Sequence, residues 1–126
     1  MTLLAATLPT PWAPLSIIVD SAAGSANDST SRLLADKLGQ IWNQQVLTVN
    51  QPGAGGGIAA RAASQSPNDG YTILNASHMA VNKALYKQLA YDPDKDFAPI
   101  TKLAVGPTVI CVNDKQPIKD LKELIA

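Results

Sequence analysis

Hydrophobic residues occur in short continuous runs over the first part of the chain, and each run precedes a segment with helical spacing. The runs are rich in β-branched residues, which is typical of strands buried on both faces of a parallel sheet, and they cover residues 16–20, 45–49 and 71–75. The segments after them predict helices over residues 28–42, 58–66 and 81–86. Three strand–loop–helix units in succession predict an α/β fold with a mostly parallel sheet flanked by helices.

The first predicted helix has an apolar face. Either Asn27 or Asp28 is expected to supply its N-cap, because both side chains accept hydrogen bonds from free backbone amides. The apolar positions recur at spacings of four, three and one, so this face is expected to pack on the sheet. It consists of Leu34, Leu38, Ile41 and Trp42.

The later part of the chain is less regular. Residues 91–97 are polar and predict a loop, whereas apolar runs at residues 100–105 and 108–112 predict further strands. Residues 120–126 begin an amphipathic helix without a C-cap signal, so we expect that helix to be truncated. The single cysteine, Cys111, lies in the last apolar run and is expected to be a buried, inert thiol.

A glycine-rich loop joins the second predicted strand to the second helix. Glycine allows positive φ and lets backbone amides converge near a helix N-terminus, which favours an anion. A phosphate-binding P-loop is excluded because Ile58-Ala59 stands where Lys and Ser or Thr are required. A dinucleotide fingerprint fits weakly, since Ile58 replaces its third glycine. A tight turn without a ligand is an equal alternative from this motif alone.

Composition narrows the class of protein. The chain has 126 residues, of which 46% are hydrophobic and 16% charged, so it can bury one modest core. Ten basic residues balance ten acidic ones without a basic cluster, which gives no electrostatic reason to expect a nucleic acid or an anionic membrane surface as a partner.

The first 14 residues are apolar and rich in proline. They are similar to the apolar core and small-residue end of a secretory signal peptide, although the basic n-region is absent. We interpret residues 1–14 as the remnant of an export signal, with a disordered leader as the alternative.

Three loops are expected at the carboxyl edge of the sheet, where open α/β sheets bind their ligands. They span residues 21–27, 50–57 and 76–80, and they contain Gly, Ser and Asn but no Arg. An anion at this edge would therefore be held by backbone amides, hydroxyl groups and water.

An ordered set of four motifs points to a known family. The motifs are Asn50 with Pro52-Gly53-Ala54-Gly55-Gly56, Asp69-Gly70-Tyr71-Thr72, Asn82 with Ala84-Leu85-Tyr86, and Tyr91-Asp92-Pro93 followed by residues 95–101. Together they resemble the substrate-binding proteins of tripartite tricarboxylate transporters, the Bug family, from about Leu15 to the last residue.

The resemblance implies a periplasmic binding protein of the type II class, in which two α/β lobes close on a small organic carboxylate. Such a protein delivers its ligand to the membrane components of a transporter and is neither an enzyme nor dependent on a metal or cofactor. Residues 15–107 would form the first lobe, and residues 108–126 would form a crossover strand and the start of a helix leading to an absent second lobe. The mature chain would not insert into the membrane.

The resemblance also implies a set of ligand-binding residues. In the first loop, Gly24 and Asp28 match the family pattern, Ser25 replaces a second glycine, and Asn27 stands where a hydroxyl residue is usual. Capping of the helix is an alternative role for this loop, and we favour it for Asp28.

In the third loop, Ser77 and His78 match the family's pattern of a hydroxyl residue followed by His, and they are the main candidates for side-chain contact with ligand. A polar loop histidine bonded to backbone is the alternative for His78. The glycine loop would form the cleft wall through Gly53, Ala54, Gly55 and Gly56.

One departure from the family concerns the substrate class. Asp20 and Ser21 replace a Pro-Phe pair at the end of the first strand. A carboxylate there would repel an anionic ligand unless it points away or takes a proton.

Three hypotheses follow for function. The leading one is a non-enzymatic solute-binding module, because the edge loops contain no acid–base pair and no nucleophile elbow. The second is an α/β enzyme or nucleotide-binding domain that uses the glycine loop for phosphate. The third is that the chain alone binds nothing, since one lobe offers only half of the donors.

Overall fold

The computed structural model describes residues 14–107 and 109–125, so the interpretation of the leader falls almost entirely outside the described residues. These residues form three strands and four α-helices, and a 3₁₀ turn at Ala54–Gly56 precedes the second helix. The elements are β1 (Leu15–Val19), α1 (Ala26–Trp42), β2 (Val46–Asn50), α2 (Gly57–Ser64), β3 (Thr72–Asn75), α3 (Met79–Leu85) and α4 (Leu121–Ile125).

The three strands form one parallel sheet in the order β2-β1-β3. In the central strand, Ile17 lies opposite Thr48 of β2 and Ile73 of β3. Because all three strands run the same way, the loops that follow them emerge at one edge. The expected α/β fold with a parallel sheet flanked by helices is confirmed.

The core lies between β1 and α1. Ile17 and Val19 are 0% exposed and pack with Ala35 of α1, and Leu34 is partly buried against them. Strand side chains alternate between faces, so Ile18 points the other way, and it is 7% exposed. Helix α2 contacts β1 and β3 and buries two alanines, Ala59 and Ala60, whose small side chains allow close approach.

Helix α1 differs from expectation at both ends. Its N-cap is Ser25, whose hydroxyl accepts a hydrogen bond from the Asp28 amide, so neither Asn27 nor Asp28 caps it. At the other end Ile41 is 73% exposed and Trp42 is 39% exposed, so they do not pack on the sheet. A helix of 17 residues is about 25 Å long, whereas a strand of five reaches about 17 Å. The last turns therefore extend past the sheet.

The strands expected at residues 100–105 and 108–112 are wrong for the described residues. Residues 100–107 and 109–112 form no ladder and are exposed, and Thr108 lies outside the description. Cys111 is exposed, which corrects the expectation of a buried thiol. An apolar run needs a paired neighbour to become a buried strand, and these residues have none within the described chain. The helix predicted near residue 120 forms as α4 and is exposed.

Within the described part of the chain, no helix combines the length and apolar character that crossing a bilayer would require.

Candidate functional site

The loops after β1, β2 and β3 meet at the carboxyl edge of the sheet, as the sequence predicts. Asp20 follows β1 directly, Gly56 ends the loop after β2, and Ser77 lies in the loop after β3. Hydrogen bonds and close contacts join these loops to one another. We refer to their meeting point, centred on Asp20, as the loop junction.

The Asp20 carboxylate lies at the centre of the loop junction and is only 5% exposed. Oδ1 accepts hydrogen bonds from Ser21 Oγ at 2.6 Å and Asn27 Nδ2 at 2.9 Å. Oδ2 accepts from the Ser77 amide at 2.8 Å and from Ser77 Oγ at 3.2 Å. Two loops that are 57 residues apart in sequence are thus held together by one side chain.

Two opposing effects set the pKa of Asp20. Burial raises the pKa, but the hydrogen bonds from Ser21, Ser77 and Asn27 favour the ionised form and together lower the pKa below its ordinary value. Asp20 is therefore an anion at neutral pH. Its carboxylate is buried among donors of the protein, which is the arrangement expected of a carboxylate that points away from a ligand.

Asp28 forms a second buried centre beside the first. It is 3% exposed, and its Oδ2 accepts from the Gly24 amide at 2.8 Å and from Arg32 Nε at 3.0 Å. Its Oδ1 accepts from Asn50 Nδ2 at 2.9 Å. The Arg32 guanidinium, the Gly24 amide and the Asn50 amide hold the pKa of Asp28 at about 2. Asp28 thus connects the first loop, helix α1 and the end of β2.

The glycine loop has an unusual backbone. Gly53, Ala54, Gly55 and Gly56 all have positive φ, with values of 125°, 50°, 58° and 87°. A Cβ at Gly56 would lie 3.1 Å from Asp20 Oδ2, so the absence of a side chain also allows the loop to approach the buried carboxylate. The loop is therefore a tight strand-to-helix turn, and the Gly56 amide donates within it to the Gly53 carbonyl at 3.0 Å.

Helix α3 supports the glycine loop from the other side. Asn82, 1% exposed, donates from Nδ2 to the Gly55 carbonyl at 2.8 Å and to Tyr91 Oη at 3.0 Å. The Tyr86 hydroxyl lies so close to Gly55 that a Cβ there would be 2.7 Å from it. Tyr91 is 7% exposed and packs edge-on against Phe97 with ring centroids 5.9 Å apart.

Asn82, Tyr86 and Tyr91 belong to the sequence motifs, and packing is the role expected for Tyr86, but the hydrogen bonds of Asn82 to Gly55 and Tyr91 were not predicted. The signal that could have revealed part of the network is an Asn at the end of a strand. Asn50 ends β2 and Asn75 ends β3. Their amides donate to Asp28, Ser21, Asn27 and Ser31 at the same edge.

The candidate ligand residues of the first loop come together, but their polar groups are engaged within the protein. The Gly24 amide donates to Asp28, Ser25 Oγ caps α1, and Asn27 Nδ2 donates to Asp20 and Ser21. These residues therefore stabilise the loops at the carboxyl edge of the sheet. In the third loop, Ser77 lies between Asp20 and His78, and the His78 side chain is 63% exposed.

Ser77, His78 and Asp20 do not form a catalytic triad. Ser77 Oγ lies 2.8 Å from His78 Nδ1, and Asp20 Oδ2 lies 4.0 Å from the same nitrogen. A triad needs the serine on one imidazole nitrogen and the carboxylate on the other. Here the serine lies between the other two groups, so the arrangement does not activate Ser77 as a nucleophile.

No group of three or more His, Cys, Asp or Glu side chains in residues 14–107 and 109–125 could hold a metal ion. Two surface depressions lie away from the loop junction. One of about 250 Å³ is lined by residues of α3 and the following loop, and one of about 600 Å³ lies near the end of α1 and the start of β2.

Solved structures share this architecture. The adipate-bound R. palustris protein Rpa4515 superposes with a TM-score of 0.77 at 30% identity, over 91% of this chain and 39% of its own. MatC from Rhodopseudomonas palustris with bound malate gives a TM-score of 0.66 at 32% identity, over 71% of this chain and 31% of its own. The periplasmic binding protein BugD gives 0.67 at 33% identity, over 72% and 31%. The fold is that of part of a periplasmic binding protein.

Comparison of sequences points to the same kind of protein as comparison of structures. BugT of Bordetella pertussis is 34% identical over 119 residues, which is 92% of this chain and 36% of BugT. A UPF0065 protein of Bordetella bronchiseptica is 36% identical over 118 residues, 92% of this chain and 35% of that protein. Residues 30–126 match the tripartite tricarboxylate transporter family receptor, TctC. The chain belongs to this family, and it spans about a third of the length of these relatives.

Proposed function

We propose that this chain forms the first lobe of a solute-binding protein that captures a small organic carboxylate. The observation that carries the proposal is the convergence of three polar loops at one sheet edge, in a chain whose structural neighbours hold adipate and malate. The buried Asp20 and Asp28 fix the edge, and the exposed His78 side chain faces outward from it. The protein acts by binding, because the junction lacks the geometry of a nucleophile and its base.

In the proposed working form, a second lobe closes over this edge. Residues 15–107 belong to the first lobe, and residues 108–126 lead away from it. A ligand enclosed between two lobes loses most of its contact with water, so hydrogen bonds to it become stronger than at an open edge. The working form is exported to the periplasm and delivers its ligand to the membrane components of a tripartite tricarboxylate transporter, as the family name suggests.

The chain itself provides a direct test by NMR, which detects weak binding. Malate and adipate are titrated separately into the isotopically labelled chain, and the amide signals are followed. We expect saturable shifts concentrated in residues 21–27 and 76–80. A neutral diol of similar length serves as the control ligand and should leave these signals in place. Absence of shifts with every carboxylate of a broad panel, or shifts confined to the two surface depressions, would contradict the proposal.

The alternative of a phosphate- or nucleotide-binding enzyme domain is not favoured by the glycine loop. The Gly56 and Gly57 amides are used within the turn, donating to the carbonyls of Gly53 and Ala54. The same NMR titration with ATP distinguishes the two proposals, since a nucleotide ligand would shift residues 53–58 and a carboxylate binder would not respond.

A further inference from the structure

The loop junction contains a chain of three groups whose proton positions are linked. Asp20 Oδ2, Ser77 Oγ and His78 Nδ1 follow one another at 3.2 Å and 2.8 Å. The serine hydroxyl has one proton and can donate it to only one of its two neighbours. The direction of that proton decides which nitrogen of a neutral His78 carries hydrogen.

The buried carboxylate determines this direction. An ionised carboxylate is an acceptor only, and a hydrogen bond to a charged acceptor is roughly twice as strong as one between neutral groups. Ser77 therefore donates to Asp20 and offers a lone pair to His78 Nδ1. For a hydrogen bond to exist at 2.8 Å, Nδ1 must then carry the proton. The other ring nitrogen, Nε2, is left without a proton in the neutral imidazole.

We propose that Asp20 is a positioning residue that acts through Ser77 to hold neutral His78 in the Nδ1–H tautomer. In this tautomer Nε2 presents a hydrogen-bond acceptor at the carboxyl edge of the sheet. Among residues 14–107 and 109–125, no hydrogen bond engages Nε2, and the side chain is 63% exposed. Gly56 of the glycine loop, the second of the three loops, lies beside the Asp20 carboxylate.

The Nδ1–H tautomer of His78 has a consequence for the class of ligand, and this consequence rests on the proposed function. An acceptor at Nε2 suits a ligand that carries a hydroxyl or ammonium donor beside its carboxylate groups. A hydroxy acid such as malate should therefore bind about tenfold more tightly than succinate, which lacks only the hydroxyl.

The tautomer can be measured directly because the chain has a single histidine. Two-bond and three-bond ¹⁵N–¹H correlations of the imidazole ring distinguish the tautomers in a buffer alkaline enough to keep the ring neutral. We expect Nδ1–H to predominate in the wild-type chain. In the variants Asp20→Asn and Ser77→Ala, the ring should shift toward Nε2–H. A wild-type ring that is mainly Nε2–H would overturn the proposal.

Matched variants separate this role from general support of the fold. Ser21→Ala removes a donor to Asp20 Oδ1 without touching the Ser77–His78 link, so its tautomer should remain that of the wild type. Ser77→Thr keeps the hydroxyl and should restore the Nδ1–H form that Ser77→Ala loses. If Ser21→Ala changes the tautomer as strongly as Ser77→Ala, the link through Ser77 is refuted. Because Ser77→Ala leaves Asp20 in place, it remains informative if Asp20→Asn unfolds the chain.

The ligand consequence is tested by titrating malate and succinate into the wild type and Ser77→Ala. The wild type should prefer malate, and the variant should lose that preference. Equal affinity of the wild type for the two acids would overturn the ligand class but not the tautomer. Failure of both acids to bind would count against the proposed function, whereas the imidazole spectrum would still decide the role of Asp20.

Discussion

Residues 14–97 and residues 98–125 contain similar apolar runs but place them differently. In β1, Ile17 and Val19 are 0% exposed and have a paired strand on each side. In the later region, Val109 and Ile110 are 76% and 68% exposed and pair with nothing in the described chain. The difference teaches that a β-branched run specifies a buried strand only where the fold supplies neighbours on both edges.

The largest expected effect comes from truncating equivalent side chains in the two regions. Ile17→Ala should lower the free energy of unfolding by about 2–5 kcal/mol, because it leaves a cavity in the centre of the sheet. Ile110→Ala should change it by less than about 0.5 kcal/mol, since the side chain is already in water. Urea titration followed by circular dichroism measures both values.

Ile17→Val, expected to cost about 1 kcal/mol, provides a milder variant if Ile17→Ala unfolds the chain. Similar losses for Ile17→Ala and Ile110→Ala would show that the later region is packed as well as the sheet.

The difference in exposure between the apolar side chains of the two regions should decrease when residues 98–125 have further chain to pack against. We expect that joining the chain to the remaining two thirds of a relative such as BugT raises carboxylate affinity at least tenfold, about 1.4 kcal/mol. Calorimetry measures the affinity, and hydrogen exchange should show new protection in residues 100–112. Ile110→Asp serves as a probe, because it should destabilise the joined protein and leave the chain alone unaffected. Equal affinity of the two forms would contradict the proposed two-lobed clamp.

Acid should destabilise the first region selectively. The pKa of Asp28 is about 2 in the folded chain against an ordinary value of 3.8. Its contribution to stability is therefore complete above the ordinary value and is lost as the pH falls toward 2. The urea midpoint should decrease between about pH 4 and pH 2, and the Asp28→Asn variant should show a smaller decrease.

Asp114→Asn provides the matched control for this pH dependence, because Asp114 is an exposed carboxylate of the later region. It should follow the wild-type pH curve. A curve for Asp28→Asn that coincides with the wild type would show that other carboxylates control acid unfolding.

The smallest expected effect concerns the reaction rate of the Cys111 thiol. Because Cys111 is exposed, a chromogenic disulfide reagent should modify it in the native chain within about threefold of its rate in urea. A Cys111→Ser, Val19→Cys double variant places the only thiol in the sheet, where it should react far more slowly without urea. Slow reaction of native Cys111 would mean that the later region is covered in solution.

The fold was predictable where local pattern and pairing agree. The runs that became β1, β2 and β3 pair with one another, so their pattern alone predicted the sheet and the edge at which the loops meet. The same reasoning gave strands at residues 100–105 and 108–112, because a sequence does not show whether a run has a partner. The exposure of Ile41 likewise depends on the length of the neighbouring strands, which helical spacing does not contain.

The sequence predicted where the three loops meet, but it did not predict the hydrogen bonds that join them. Ser77 and His78 were identified as candidates by resemblance and remain a prediction, whereas the burial of Asp20 and its hydrogen bonds to Ser77 were not predicted. Hydrogen bonds between residues 57 positions apart depend on the final fold. Side-chain direction at the end of a strand cannot be obtained from the order of residues alone.

Asn82 affects which parts of the molecule can unfold locally. Its single amide group binds both the glycine loop, through Gly55, and the turn that contains Tyr91. Breaking either bond leaves a buried donor without its partner, which makes partial separation unfavourable. We therefore expect the glycine loop and residues 91–97 to unfold locally as one cooperative unit, with their amides exchanging hydrogen at a common rate.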